Sequence, residues 1–124
     1  MGEKIKITTD SVSLTATLSE NETAHAILNV LPIEARVNCW GEEIYFSIPV
    51  QLDEASDARQ EMEVGELGYW PVGTAFCIFF GKTPVSQGDE PRAYSNVNPF
   101  GKIDGDATQF RDVKDGETIK ISRA

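Results

Sequence analysis

Metal- and thiol-bearing side chains are scarce in this 124-residue chain: one histidine, His25, and two cysteines, Cys39 and Cys77, far apart and in no CxxC pair. A zinc site or a Cys/His catalytic pair needs more donors at closer spacing, so no metal and no such nucleophile is expected. Both thiols are expected to be reduced and buried. Apolar runs are short, none nearing the ~18 residues of a membrane span, and membrane partners are not expected. The start, Met1-Gly2-Glu3-Lys4-Ile5-Lys6-Ile7, carries no hydrophobic signal stretch, which predicts a cytoplasmic location. Bases are few: eleven Lys and Arg against twenty Asp and Glu leave a net charge of -9. Phosphate binding needs a basic stripe, so nucleic acid is not an expected partner. The glycines form neither GxGxxG nor GxxxxGK[ST], and no cofactor is expected.

What the chain does have is apolar content, 40% of its residues. A chain of this length suits one domain, residues 1–124, exposing roughly 6,600 Å² when folded. Ile5 and Ile7 alternate with polar residues, as do Val12, Leu14, Ala16 and Leu18, which predicts an opening hairpin about Asp10. Ser19-x-x-Glu22 has the form of a capping box, and Ala24, Ile27, Leu28 and Leu31 make one helical stripe ended by Pro32. A helix over 23–31 follows, with His25 beside its stripe. Val37, Cys39, Ile44, Phe46 and Ile48 form two strand patterns about Trp40-Gly41-Glu42-Glu43. Glu42 and Glu43 point to opposite faces there, which suits a solvated turn rather than an acid/base pair.

Residues 53–66 carry six acids and Arg59, and read as a solvated loop with some helix, without the alternating acids and glycine turn of a calcium loop. Seven of the ten glycines and four of the six prolines lie between Gly65 and Gly105, which predicts short strands and tight corners. Thr74 to Phe80 reads as a strand buried on both sides. Gly116 to Ile121 alternates again and suits a closing strand beside Ile5 and Ile7. The count is about eight strands and one good helix, most economically a closed barrel.

This order of parts resembles the cyclophilins, and more closely a smaller group of cyclophilin-like bacterial and archaeal proteins. The resemblance spans nearly the whole chain. It rests on Gly65-Glu66-Leu67-Gly68-Tyr69-Trp70-Pro71, on Cys77-Ile78-Phe79-Phe80-Gly81 with Thr83-Pro84, and on Phe100-Gly101-Lys102-Ile103-Asp104-Gly105. It implies a mainly β, cyclophilin-like closed barrel of about eight strands with one capping helix. The second helix of cyclophilins is not expected, because residues 105–116 are short and polar.

Prolyl isomerisation faces a barrier of ~18–20 kcal/mol, lowered when a donor bonds the proline nitrogen as the amide twists. The resemblance implies that this donor, an arginine in a Phe-His-Arg strand, is replaced here by Ile48 in Phe46-Ser47-Ile48. The family's pocket histidine falls at Val97 and its tryptophan at Arg92. No catalytic residue is therefore assigned. The aromatic segments that line the cyclophilin groove remain, which makes Tyr69, Trp70, Phe79 and Phe80 the candidate ligand-binding residues. The expectation is a module for a peptide or small ligand, of cationic character given the acids of 53–66, without efficient isomerase activity. The alternatives are a divergent prolyl isomerase using Arg59 or Arg92, and a structural protein associating through the 84–99 loop.

Overall fold

The computed structural model describes residues 2–124. The alternating segments become strands: β1 (Lys4–Thr9) and β2 (Ser13–Leu18) pair antiparallel with Ile5 opposite Ala16. Helix α1 (Glu22–Leu28) follows. Its cap is Asn21, whose side-chain oxygen accepts from the Ala24 amide at 2.9 Å, and not the expected Ser19 box. The Asn21 amide also donates to the Pro99 carbonyl at 3.1 Å, which fixes it to the barrel while it caps. The helix is shorter than expected because the amides of Val30 and Leu31 turn back to the carbonyls three residues earlier.

The remaining elements are β3 (Ile33–Arg36), β4 (Asn38–Cys39), β5 (Glu43–Ser47), β6 (Arg59–Glu61), β7 (Glu66–Trp70), β8 (Ala75–Phe79), β9 (Arg92–Asp104) and β10 (Thr118–Arg123). The molecule is mainly β, with ten strands among the described residues where about eight were expected. The sheet order is β3-β10-β1-β2-β9-β7-β8-β5-β4, with β6 attached to β9. The closing strand lies where alternation put it, with Ile121 opposite Ile7. The path curls until β3 touches β5, a barrel-like arrangement whose ends meet by packing rather than by a ladder.

Three segments differ from their sequence expectation. Residues 53–66 hold no helix: they contain β6 and lead into β7, and Asn98, 1% exposed, accepts from the Ala55 amide and donates to the Asp53 carbonyl. A buried amide from a distant strand thus holds a segment that looked free. Between Gly105 and Gly116, Ala107–Asp112 forms a 3-10 helix that inserts Phe110, fully buried, beside Phe80. Two buried apolar side chains, Ala107 and Phe110, suffice to anchor so short a turn. The 84–99 loop is half strand, since β9 begins at Arg92. No helix among the described residues is long and apolar enough to cross a membrane.

The core lies inside the curl. Phe46 and Phe76 stack at 5.0 Å, and Phe100 meets Phe76 edge-on at 5.0 Å. A second, smaller apolar cluster lies on the outer face: Met62, Ala75, Cys77, Phe79, Ala93 and Val97, with Tyr45 and Trp70 packed against it. It exists because β9 is long and bent. Leu67 faces Gly101 and Gly68 faces Pro99, so Phe100 is skipped in a bulge, and the first half of β9 joins β6 instead of continuing the main sheet. The approach is tight at Gly68, where a Cβ would lie 2.7 Å from the Val97 side chain.

Candidate functional site

Strand pleat sorts β5 and β8 into two faces. Ile44, Phe46, Phe76 and Ile78 turn inward, whereas Glu43, Tyr45 and Cys77 turn outward toward the second cluster. Between that outer face and the first half of β9 lies a cavity of about 150 Å³, lined by Trp40, Glu43, Tyr45, Trp70, Cys77, Ala93, Tyr94 and Val97. An apolar hole of ~150 Å³ accepts a benzene-sized guest, while whole drug-sized ligands need ~300 Å³ or more. The cavity therefore fits one side chain or one small group.

Its walls are aromatic and ordered edge to face. Trp40 meets Tyr94 at 6.1 Å and 67°, Tyr94 meets Trp70 at 6.1 Å and 74°, and Trp70 meets Tyr45 at 6.4 Å and 81°. Each ring thus turns a corner from the last, in a geometry that aromatic quadrupoles favour. The Trp70 indole N–H donates to the Ser95 hydroxyl at 2.6 Å, which ties β7 to β9 across the cavity. Gly73 leaves room for that indole, since a Cβ there would lie 2.5 Å from its six-membered ring. Both tryptophans of the chain line this one cavity.

One carboxyl belongs to it. Glu43 is 5% exposed, and its Oε1 has no hydrogen-bond partner among the described residues. Burial pushes its carboxyl up to about 8, opposed by the thiol of Cys77 beside it. Burial, with the Glu43 carboxyl close by, also pushes the Cys77 thiol well above its usual range. A thiol held protonated is a poor nucleophile, so the pair does not have the electrostatics of an activated cysteine. Cys39, expected to be buried, is exposed.

Of the four residues expected to line a groove, Trp70 is in the cavity wall. Phe79 faces the same side but is fully covered within the outer cluster. Tyr69 and Phe80 turn into the barrel, where the Tyr69 hydroxyl donates to the Val50 carbonyl at 2.7 Å and accepts from the Leu52 amide. Val97, where the resemblance put the family's histidine, does line the cavity; Ile48, where it put the arginine, is buried in the main core. Sequence reading missed Trp40, Glu43, Tyr45 and Tyr94. Alternation does put Glu43 and Tyr45 on one face, but only the packing of the first half of β9 over that face shows that it is covered.

Neither arginine that could replace the donor lines the cavity. Arg59 grips Glu66 with both guanidinium nitrogens, at 3.0 and 2.6 Å, and Arg92 contacts Glu61 and Gln60. Among the described residues no cluster of His, Cys, Asp and Glu is arranged to hold a metal ion.

The cyclophilin-like family model matches residues 3–122, nearly the whole chain. The chain belongs to the cyclophilin-like family. It is also similar to a hypothetical protein of Archaeoglobus fulgidus solved in solution. That likeness has 36% identity and a TM-score of 0.84, and covers 99% of this chain and 95% of the other. No match was found among curated proteins.

Proposed function

We propose that this cyclophilin-like protein is a cytoplasmic binding module. It receives one side chain of a peptide, or one group of a small ligand, in the aromatic cavity, and does not act as an efficient prolyl isomerase. The observation that carries the reading is the cavity itself: four ring walls and a buried carboxyl oxygen without a partner, in a hollow of one-group size. Buried polar atoms are nearly always satisfied, so an unsatisfied one in a concave wall favours a ligand that satisfies it. Trp70 takes the contact role; Phe79 supports the wall from beneath, and Tyr69 and Phe80 hold the barrel that positions it.

Chemical-shift mapping with a panel of short peptides and amines tests this. Shifts should concentrate at Tyr45, Trp70 and Tyr94, and Trp70→Ala should weaken binding at least tenfold. Unchanged affinity in that variant would remove the cavity as the site. A proline-limited refolding assay should show no acceleration; one abolished by Arg59→Ala or Arg92→Ala would replace this reading with isomerisation.

A further inference from the structure

Resting on that reading, we propose that the cavity selects an alkylated ammonium group, tertiary or quaternary, of about trimethylammonium size. A cation over aromatic faces is attracted by their ring quadrupoles, and Trp and Tyr give the strongest such attraction. Two of each line this hollow, and Glu43 is the only carboxyl in its wall. Among the described residues no lysine, arginine or histidine lines it, so no cationic side chain of the wall repels a cation.

Hydrogen-bond arithmetic then separates one cation from another. A primary ammonium brings three donors and a guanidinium five, and each donor left unpaired on burial is costly. The side chains of the wall offer them the carboxyl of Glu43 and the phenol oxygens of Tyr45 and Tyr94 and nothing more, because the remaining lining is indole rings, a thiol, a methyl and an isopropyl group. An alkylated ammonium brings one donor or none and is already partly desolvated. Size agrees, since the hollow of about 150 Å³ holds a compact group and excludes a long one lying flat.

The charge of Glu43 adds a signature. The titratable groups that line the cavity with it are Cys77 from β8, which lies against it, Tyr45 from its own strand and Tyr94 from β9, none of them cationic. Burial keeps Glu43 protonated at neutral pH in the empty cavity. A cation entering would favour the carboxylate, so binding would release a proton and tighten as pH rises toward 8.

The same chemistry is carried by a free amine such as choline or by a trimethyllysine side chain, so both are titrated, following the fluorescence of Trp40 and Trp70. Saturable quenching is expected, with choline at least tenfold tighter than its neutral isostere 3,3-dimethylbutanol and than ethanolamine. Glu43→Gln should abolish the proton release seen by calorimetry in buffers of different ionisation heat. Tyr94→Ala, at a residue 69% exposed and therefore safe for folding, should weaken binding at least fivefold. A trimethyllysine peptide that outbinds choline points to a protein partner, the reverse to a free metabolite, and either supports the proposal. Equal binding of choline and 3,3-dimethylbutanol would overturn the ammonium assignment and leave the binding module standing. No saturable change with any amine, beside binding of other peptides at Trp70, would do the same. Silence from every ligand would remove both.

Discussion

Glu43 is the residue whose behaviour departs furthest from its place in the sequence. It sits in an acidic turn beside Gly41 and Glu42 and reads as solvated, yet the pleat of β5 turns it under β9. An unfolded glutamate titrates near 4.5, and burial raises the folded value to about 8. Between those values the folded state keeps a proton that the unfolded state has lost. Stability from this group is therefore complete below the unfolded value and declines as pH rises through about 8. Glu43→Gln should remove that decline. Chemical denaturation at about pH 5 and about pH 9 should show the variant gaining on the parent by a few kcal/mol, since each pH unit separating the folded and unfolded titrations is worth ~1.4 kcal/mol. A pH-independent difference would mean that Glu43 is not buried as described. Trp70 gives a second test at this scale. Its indole lies where a Cβ on Gly73 would fall, so Gly73→Ala should displace it and change the tryptophan emission while costing about 1–3 kcal/mol by overpacking.

Among the elements, those with short-range causes were legible and those with long-range causes were not. β1, β2, β8 and β10 follow from alternation or a continuous apolar run, and α1 from its stripe. β6 does not, because Arg-Gln-Glu has no strand pattern of its own and becomes one only beside Arg92 to Val97. Between Gly105 and Gly116, where the short polar sequence predicts no helix, a 3-10 turn forms on the buried side chains of Ala107 and Phe110. What fixes β6 is electrostatic: Glu66, 8% exposed, receives Arg59 in two contacts and also accepts from the Glu63 amide. Removing one member of such a pair leaves a buried charge without compensation. Arg59→Ala should cost about 1–3 kcal/mol, less than a fully buried pair because the arginine is 44% exposed. Arg92→Ala, breaking longer contacts to the exposed Glu61, should cost under about 1 kcal/mol. Equal costs in thermal unfolding would show that β6 is held by its ladder alone.

For the whole molecule, the net charge of -9 acts at a distance from the cavity rather than inside it. Residues 53–66 looked like an acidic border to the site, but none of their six carboxylates lines it. Three are paired with a cation, Glu66 with Arg59, Glu61 with Arg92 and Glu63 with Lys102 at 3.9 Å, and Glu54 accepts from the Asn96 amide. Of the four aromatic residues that the family resemblance named, only Trp70 lines the cavity; charge patterning named acids that stand outside it and passed over Glu43. These two sources of field separate in kinetics. The diffuse surface charge draws a cation in through solvent and is screened beyond ~8 Å at physiological salt, whereas Glu43 and the ring walls act at contact, out of reach of salt. For a cationic ligand, raising salt from about 0.02 to about 0.5 M should slow association several-fold and leave dissociation within about twofold. Stopped-flow tryptophan fluorescence reads both rates. A dissociation rate that rose with salt would put the holding charge on the surface, and the cavity would then be holding its ligand by shape alone.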